Sequence, residues 1–256
     1  MTHMDLSPRL EAILSCFEKG TCLADVGTDH AYLPIEAVRR GLFSGALALD
    51  VRKGPLERAE AHIRQACLQD RVFTRLSDGF EALNRGEADA ALIAGMGGPL
   101  MLRILTEGVA DGKLSGLSQL VLEPQSELNL VRRTIHTLAN EEGRWQIRKE
   151  KLVKDRDKFY FILILGFGAD STSFADESPC MKEDWSYSPF LIRARDMLYL
   201  EYLKKKTIEK QNLLDSLLQK PSVEEQALAA RIEALKTELT HLQEVMALWE
   251  SPSGIF

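Results

Sequence analysis

The chain has 256 residues, 45% of them hydrophobic and 27% charged, and a formal net charge of −6 at pH 7. This length accommodates one α/β domain with an appendage, and the acidic balance argues against a protein that coats nucleic acid. No signal peptide and no apolar run long enough to span a bilayer is visible, and the four cysteines lack metal-ligand spacing. We therefore expect a cytoplasmic protein without a membrane segment or a metal site.

Apolar runs and helical patterns alternate along the first two thirds of the chain. A first helix is predicted to begin at Pro8 and to end at Gly20. Two further helices are predicted at 32–40 and 55–69, and two more are predicted to end near residues 107 and 142. The predicted strands are 22–26, 46–51, 72–76, 88–94, 119–122, 146–153 and 159–166. This order predicts an α/β domain whose sheet is mostly parallel, and the short connection between the last two strands predicts one antiparallel strand.

The last third of the chain has a different pattern. Residues 169–188 are polar and acidic, which is typical of a linker. Two long helical patterns follow, and the second repeats Leu228, Ile232, Leu235, Leu239, Leu242, Met246 and Trp249 at steps of four and three. We expect domains at 1–168 and 189–256, the second an antiparallel coiled-coil hairpin; the alternative is that its helices pack on the α/β domain.

The stretch 22–34 combines a buried strand, a polar turn and the start of a helix, which is how α/β domains build a ligand crevice. A dinucleotide site needs GxGxxG, but Asp29 and Tyr32 replace the second and third glycines after Gly27. A carboxylate there would repel a diphosphate, and no phosphate-binding loop is present elsewhere. A turn with Asp25 and Asp29 suits a cationic nucleoside instead, and the sequence predicts S-adenosylmethionine.

Two further acidic positions follow the second and third strands. Asp50 is placed to accept the ribose hydroxyls of a nucleoside, with Val51 beside it, although an acid here also serves NAD. Asp78 is a candidate acceptor for the adenine amine, and Gly79 lets the ring approach the backbone. Each aspartate alone has an equally simple interpretation as a loop or helix cap; together, at the ends of consecutive strands, they indicate a cofactor site.

The turn Gly95-Met96-Gly97-Gly98 follows the fourth strand. Its small residues leave space for a flat substrate and present bare backbone groups, with Gly95 and Met96 toward the cofactor and Gly97 and Gly98 toward the substrate. The alternative is a tight strand-to-helix turn in which Pro99 begins the helix. The Asn/Asp-Pro-Pro-aromatic motif of many exocyclic-amine methyltransferases is absent.

The motifs LSPRLEAI, DVGTDHAYLP, SDG, GMGG and EPQ, followed by the helical region, resemble the bacterial tRNA (adenine(22)-N(1))-methyltransferase family. The resemblance implies a Rossmann-like class I methyltransferase fold and methyl transfer from S-adenosylmethionine to N1 of adenine 22 in tRNA. It also implies a cofactor site formed by Asp25, Gly27, Asp29, His30, Asp50, Asp78, Gly79, Gly95 and Met96.

Adenine N1 has an in-plane lone pair, so the enzyme's main task would be to position it. Asp29 is the candidate to stabilise the cationic product or to accept its proton. His30 is a second candidate, although a histidine in such a turn is more often a hydrogen-bonding strut. Tyr32 is a candidate to stack on the base, with a buried helix residue as the alternative.

Contacts with tRNA are predicted for Gln125, Arg132, Arg133 and Arg148. The stretch 144–158 carries seven basic and three acidic residues, which indicates either phosphate binding or a strand edge protected by lysines. We expect a monomer. Two other functions stay open: a methyltransferase acting on a small molecule or protein, and a non-catalytic adaptor that binds RNA or protein.

Overall fold

The computed structural model describes residues 5–142, 145–167, 185–219 and 225–250. The chain divides into two compact units; the described residues up to Tyr187 belong to the first and those from Ser188 to the second. The predicted linker, 169–188, lies mostly outside the described residues. Within the described ranges, no helix has both the length and the apolar character needed to cross a bilayer.

Helices and strands alternate in the first unit. The helices are α1 (Pro8–Leu14), α2 (Tyr32–Arg39), α3 (Lys53–Gln65), α4 (Gly98–Ala110) and α5 (Leu128–Glu142). The strands are β1 (Gly20–Val26), β2 (Phe43–Asp50), β3 (Val72–Leu76), β4 (Ala90–Met96), β5 (Gln119–Pro124), β6 (Trp145–Asp155) and β7 (Lys158–Phe167). This alternation follows the predicted order.

The seven strands form one sheet in the order β3-β2-β1-β4-β5-β7-β6. Strands β1 to β5 pair in parallel, and β7 runs antiparallel to both β5 and β6. The predicted mostly parallel sheet with one antiparallel strand is confirmed. The chain moves outward from β1 in one direction and from β4 in the other, so a crevice opens between their carboxyl ends.

The central strands are apolar on both faces because helices cover both sides of the sheet. Ala90 to Ile93 of β4 and Leu120 to Leu122 of β5 have no exposed surface. Burying such aliphatic side chains stabilises the fold by roughly 1.5–3 kcal/mol for each large residue. The rigid interior holds the strand ends, and therefore the turns that follow them, in fixed positions.

The first helix is shorter than predicted. Its N-cap is Ser7, whose Oγ accepts the N–H of Leu10, but α1 ends at Leu14. Gly20 begins β1, where its N–H donates to the carbonyl of Leu42 at 2.9 Å. The predicted end at Gly20 was wrong: that glycine is the first residue of β1, paired with β2, and does not belong to the helix.

The second unit contains α6 (Pro189–Arg193), α7 (Met197–Leu218) and α8 (Glu225–Ala247). The single helix predicted from Pro189 to Leu218 is interrupted, because Arg195 adopts a left-handed φ of 47°. Asp196 then caps α7 by accepting the N–H of Tyr199.

Helices α7 and α8 run antiparallel. Lys210 pairs with Glu238, whereas the later Leu214 packs with the earlier Leu235, so the chain directions oppose each other. Leu239 joins the same apolar cluster. The predicted antiparallel arrangement is therefore present, and supercoiling of the two helices stays a prediction.

Candidate active site

The turn after β1 is fixed to the neighbouring strand. The N–H groups of Gly27 and Thr28 both donate to the carbonyl of Leu49, at 2.8 and 2.9 Å. Gly27 has a φ of 82°, and a Cβ on it would lie 2.8 Å from Cε of Met96. The positive φ favours glycine here, and the missing side chain lets the Met96 methyl group approach the turn. The structure thus brings the turns after β1 and β4 together, as the sequence predicted.

Two carboxylates lie buried beside this turn. Asp25 is the penultimate residue of β1 and is 7% exposed, and Asp50 is the last residue of the adjacent β2 and is 6% exposed. The pKa of Asp25 is raised to about 6, mainly by burial; a hydrogen bond from Thr28 lowers it, and the charge of Asp50 adds a smaller upward contribution. Asp50 Oδ1 accepts the N–H of Arg52 at 2.7 Å. Two closely placed acids in a desolvated corner favour a positively charged ligand.

Asp29 lies at the exposed rim of the turn. It forms ion pairs with Arg58 of α3 and with Nε2 of His30, the latter at 3.2 Å. The hydrogen bond from Arg58 lowers the pKa of Asp29, and the charge of His30 contributes in the same direction. An acid with a lowered pKa stays ionised and is a weak base. The geometry therefore favours charge stabilisation over proton acceptance for Asp29.

Three aromatic rings pack together next to Asp29. The rings of His30 and Tyr32 stack with centroids 5.0 Å apart and an interplanar angle of 9°, and His62 of α3 lies 5.3 and 5.1 Å from them. His62 Nδ1 is 3.1 Å from the carbonyl oxygen of His30. His62 was not predicted. This packing supports the alternative interpretation of His30 as a strut.

The turns after β2 and β3 carry the other predicted cofactor residues. Val51, beside Asp50, is 59% exposed and is therefore accessible to a ligand. Asp78 is exposed and forms an ion pair of 2.8 Å with Arg103 of α4. Gly79 has a φ of 54°, and its Cα faces the Ile104 side chain.

The GMGG turn covers the last two residues of β4 and the first of α4, and it is built from close backbone contacts. Gly95 has a φ of 76°, and the register between β4 and β5 shifts on either side of it. Gln125 donates its N–H to the carbonyl of Met96 at 2.9 Å. A Cβ on Gly98 would lie 2.6 Å from the carbonyl of Ser126, so this position also requires glycine. Gly97 caps α4 in an extended conformation.

A buried ion pair beside the GMGG turn was not predicted. Glu123 of β5 is fully buried and accepts hydrogen bonds from the N–H of Gly95 at 2.9 Å, from the guanidinium of Arg9 at 2.7 Å and from the amide of Gln125. Burial raises the pKa of Glu123, and Arg9 opposes that shift. The signal was available: an acid directly after an apolar strand is unusual, and Arg9 lies in the LSPRLEAI motif.

The predicted phosphate contact of Arg132 is wrong. Arg132 is fully buried and forms two hydrogen bonds with Glu150, of 2.9 and 2.7 Å. It also donates to the backbone carbonyls of Trp185 and Ser186, at 3.0 and 3.2 Å. Its charge is balanced inside the protein and does not reach the surface.

The remaining predicted tRNA contacts lie closer to solvent. Gln125 and Arg133 are exposed, and Arg148 is half-buried with its stem across Gly166. In the stretch 144–158, Lys151 donates a hydrogen bond to Ser15 Oγ at 2.7 Å, and the Lys154 ammonium lies over the ring of Phe159. Part of this stretch therefore serves the fold itself. In the described ranges, no group of three or more His, Cys, Asp or Glu side chains is arranged to hold a metal ion.

The sheet order, the crevice beside β1 and the carboxylates at its strand ends define a methyltransferase of the Rossmann-like class. Residues 6–163 match the family model described as "Methyltransferase domain", and the chain belongs to this family. The tRNA (adenine(22)-N(1))-methyltransferase of Bacillus subtilis (strain 168) is 29% identical over 246 residues, which cover 94% of this chain and 100% of the relative.

Solved structures give the same result. The crystal structure of the B. subtilis M1A22 tRNA methyltransferase TrmK is 28% identical, with a TM-score of 0.77, over 95% of this chain and 100% of that one. Sp1610 of Streptococcus pneumoniae, in complex with S-adenosyl-L-methionine, is 29% identical with a TM-score of 0.77, over 94% and 100%. The resemblance to the tRNA (adenine(22)-N(1))-methyltransferase family is confirmed.

Proposed function

We propose that the protein transfers a methyl group from S-adenosylmethionine to N1 of adenine 22 in tRNA. The observation that carries this proposal is the acid-edged crevice, in which Asp25 and Asp50 lie at the carboxyl ends of adjacent strands, within a chain that matches tRNA (adenine(22)-N(1))-methyltransferases over nearly its whole length. We expect it to act as a monomer in the cytoplasm, where tRNA is available.

The residues present fit this cofactor. S-adenosylmethionine supplies an electrophilic methyl group when it is bound, and its sulfonium and ammonium charges need carboxylates rather than a phosphate-binding loop. Asp50 would accept the ribose hydroxyls, and the buried Asp25 would favour the cationic end. Val51, Asp78 and Gly79 would contact the adenine ring. Gly27, Gly95 and Met96 would form the floor between the two halves of the sheet.

The residues at the substrate end would position the base. Gly97 and Gly98 leave room for a flat ring that has left its stack. Asp29 stays ionised and would stabilise the positive charge of N1-methyladenine before that product loses its N6 proton. His30 and Tyr32 stack on each other, which favours a supporting role for both rings. Adenine N1 needs no base to make it nucleophilic, so in-line placement is the main contribution.

The tRNA body would lie against basic residues outside the crevice. Arg133 is exposed and Arg148 is half-buried, and both are suited to phosphate contacts. Gln125 is exposed at the edge of the GMGG turn and would contact the target nucleotide or its neighbour. These contacts would hold the tRNA while the base enters the crevice.

The test is to map the methylated nucleoside. Purified protein is incubated with labelled S-adenosylmethionine and unmethylated tRNA, and the product is digested and identified. We expect label at N1 of adenine 22, and none in a matched tRNA in which guanine replaces that adenine. Label at N6, on another nucleotide or on protein would contradict the proposal.

A further inference from the structure

The ion pair between Arg9 and the buried Glu123 has no assigned role in cofactor binding. Glu123 is the penultimate residue of β5, which lies on the far side of β4 from Asp25 and Asp50. A fully buried carboxylate is costly unless every oxygen is held by donors. Glu123 meets this condition by accepting bonds from Arg9, Gln125 and the backbone N–H of Gly95. One of these partners, Gly95, belongs to the GMGG turn, so the Glu123 carboxylate holds the backbone of that turn.

Arg9 is itself fixed in place. Its guanidinium lies over the ring of Tyr160, 5.0 Å from the centroid, while one terminal nitrogen donates to Glu123. Its Nε is buried and has no hydrogen-bond partner in the part of the chain that the structure describes. A buried, unbonded donor is tolerated where the rest of the side chain is tightly held or where a ligand completes it. The pair is thus a clamp between α1, β5 and the turn.

The clamp acts at the point where the turn departs from regular strand geometry. Gly95 has a φ of 76°, and the register with β5 shifts between Ala94 and Met96. A Cβ on Gly95 would lie 3.1 Å from the Arg9 guanidinium. The unusual backbone is therefore held by a charge-assisted hydrogen bond from one side and by the guanidinium from the other.

We propose that Glu123 is a positioning residue that, together with Arg9, fixes the turn Gly95–Gly98 in the conformation that receives the target base. The identity of that base rests on the proposed function; the clamp itself does not. The carboxylate does not reach the reacting atoms; it acts through the backbone of Gly95. Gly95 and Met96 form only part of the proposed cofactor floor, whereas the charged cofactor contacts are assigned to Asp25 and Asp50 on other turns. Removal of Glu123 should therefore lower turnover more than it lowers cofactor affinity.

The test compares two buried glutamates in the same unit. Glu123→Gln keeps the shape of the side chain but removes the charge that holds Gly95 and Arg9. We expect kcat at saturating tRNA and cofactor to fall at least about tenfold, and cofactor affinity to change no more than about threefold. The double variant with Arg9→Met should lose no more than the more impaired single variant, because the pair acts as one unit.

Glu150→Gln is the matched control, since Glu150 is also buried and paired with an arginine. It should lower the melting temperature while kcat per folded molecule stays within about twofold of wild type. A Glu123→Gln enzyme with wild-type kcat, or an equal loss of kcat in Glu150→Gln, would overturn the proposal. If Glu123→Gln does not fold, Arg9→Lys replaces it, because Arg9 is a quarter exposed and should tolerate exchange.

Hydrogen exchange provides a readout that does not depend on the substrate. In Glu123→Gln the amides of residues 95–98 should exchange faster than in wild type, and in Glu150→Gln they should not. If the wild-type protein methylates another acceptor, the proposed function fails, whereas the exchange comparison still tests the clamp. Unchanged exchange at these amides in Glu123→Gln would overturn the clamp even if adenine 22 is the target.

Discussion

Charged pairs at the two sides of the sheet are used in opposite ways. Near β1, Asp29 and Arg58 meet at the surface, where both side chains are about half exposed. Near β6, Arg132 and Glu150 are both fully buried. Exposed pairs are worth little and separate easily, so Asp29 stays available to a ligand. A buried pair cannot separate without leaving a desolvated charge, so it is committed to the fold.

The largest expected effect comes from breaking the buried pair. Arg132→Met should lower the free energy of unfolding by about 3–5 kcal/mol, because Glu150 then stays buried without its partner. Urea denaturation measures this change. Arg133→Met, at the exposed neighbour, should cost less than about 0.5 kcal/mol. A stable Arg132→Met protein with a raised KM for tRNA would restore the phosphate-binding role that the sequence first indicated.

The next effect concerns a carboxylate that is predicted to meet the ligand. Asp50→Ala should weaken S-adenosylmethionine binding about 10-fold to 100-fold, because the ribose hydroxyls lose a charged acceptor. Titration calorimetry measures the affinity. Asp70 is an exposed acid that precedes β3, at the amino ends of the parallel strands, and Asp70→Ala should bind S-adenosylmethionine as tightly as wild type. Unchanged affinity in Asp50→Ala would remove this residue from the cofactor site.

The smallest of these effects is a pH dependence. The pKa of Asp25 is raised to about 6, so in the free protein this carboxyl is mostly protonated below that pH. A cationic ligand favours the ionised form, and binding at low pH must therefore release a proton. Affinity for S-adenosylmethionine should fall by up to about tenfold between pH 7 and pH 5.

Two controls isolate this effect. Asp25→Asn should remove most of the pH dependence of binding, and adenosine, which carries no positive charge, should show little of it with the wild-type protein.

The stability of the folded protein should change with pH in the opposite direction to the affinity. The folded state binds the proton of Asp25 more tightly than the unfolded state, so the contribution of Asp25 to stability decreases as the pH rises from about 4 to about 6. A wild-type affinity for S-adenosylmethionine that stays flat from pH 5 to 7 would contradict the prediction.

Most of the sheet could be predicted because buried parallel strands leave apolar runs in the sequence. The strand β3 was predicted with its observed bounds, Val72–Leu76. The place of Gly20 in β1 rather than at the end of α1 could not be predicted, because it depends on pairing with β2. The break near Arg195 was also missed, since the apolar spacing continues through it and a single left-handed residue has no periodic signal.

In the site, as in the fold, features that leave a local pattern in the sequence could be predicted, and those that depend on distant partners could not. The proximity of Asp25 and Asp50 could be predicted because the carboxyl ends of parallel strands converge at one end of the sheet. Arg58 and Glu123 were missed because their roles depend on partners from other elements. Arg132 and Arg133 are adjacent in the sequence, yet one is buried and the other exposed. Only the position of Glu150 across the packed interior distinguishes them.

The contacts of Arg132 also join parts of the first unit that are far apart in the sequence. Its guanidinium pairs with Glu150 of β6 and donates to the backbone carbonyls of Trp185 and Ser186. Exchange of either charged partner alone would leave the other charge buried without compensation. Substitutions at positions 132 and 150 should therefore occur together when homologous chains are compared.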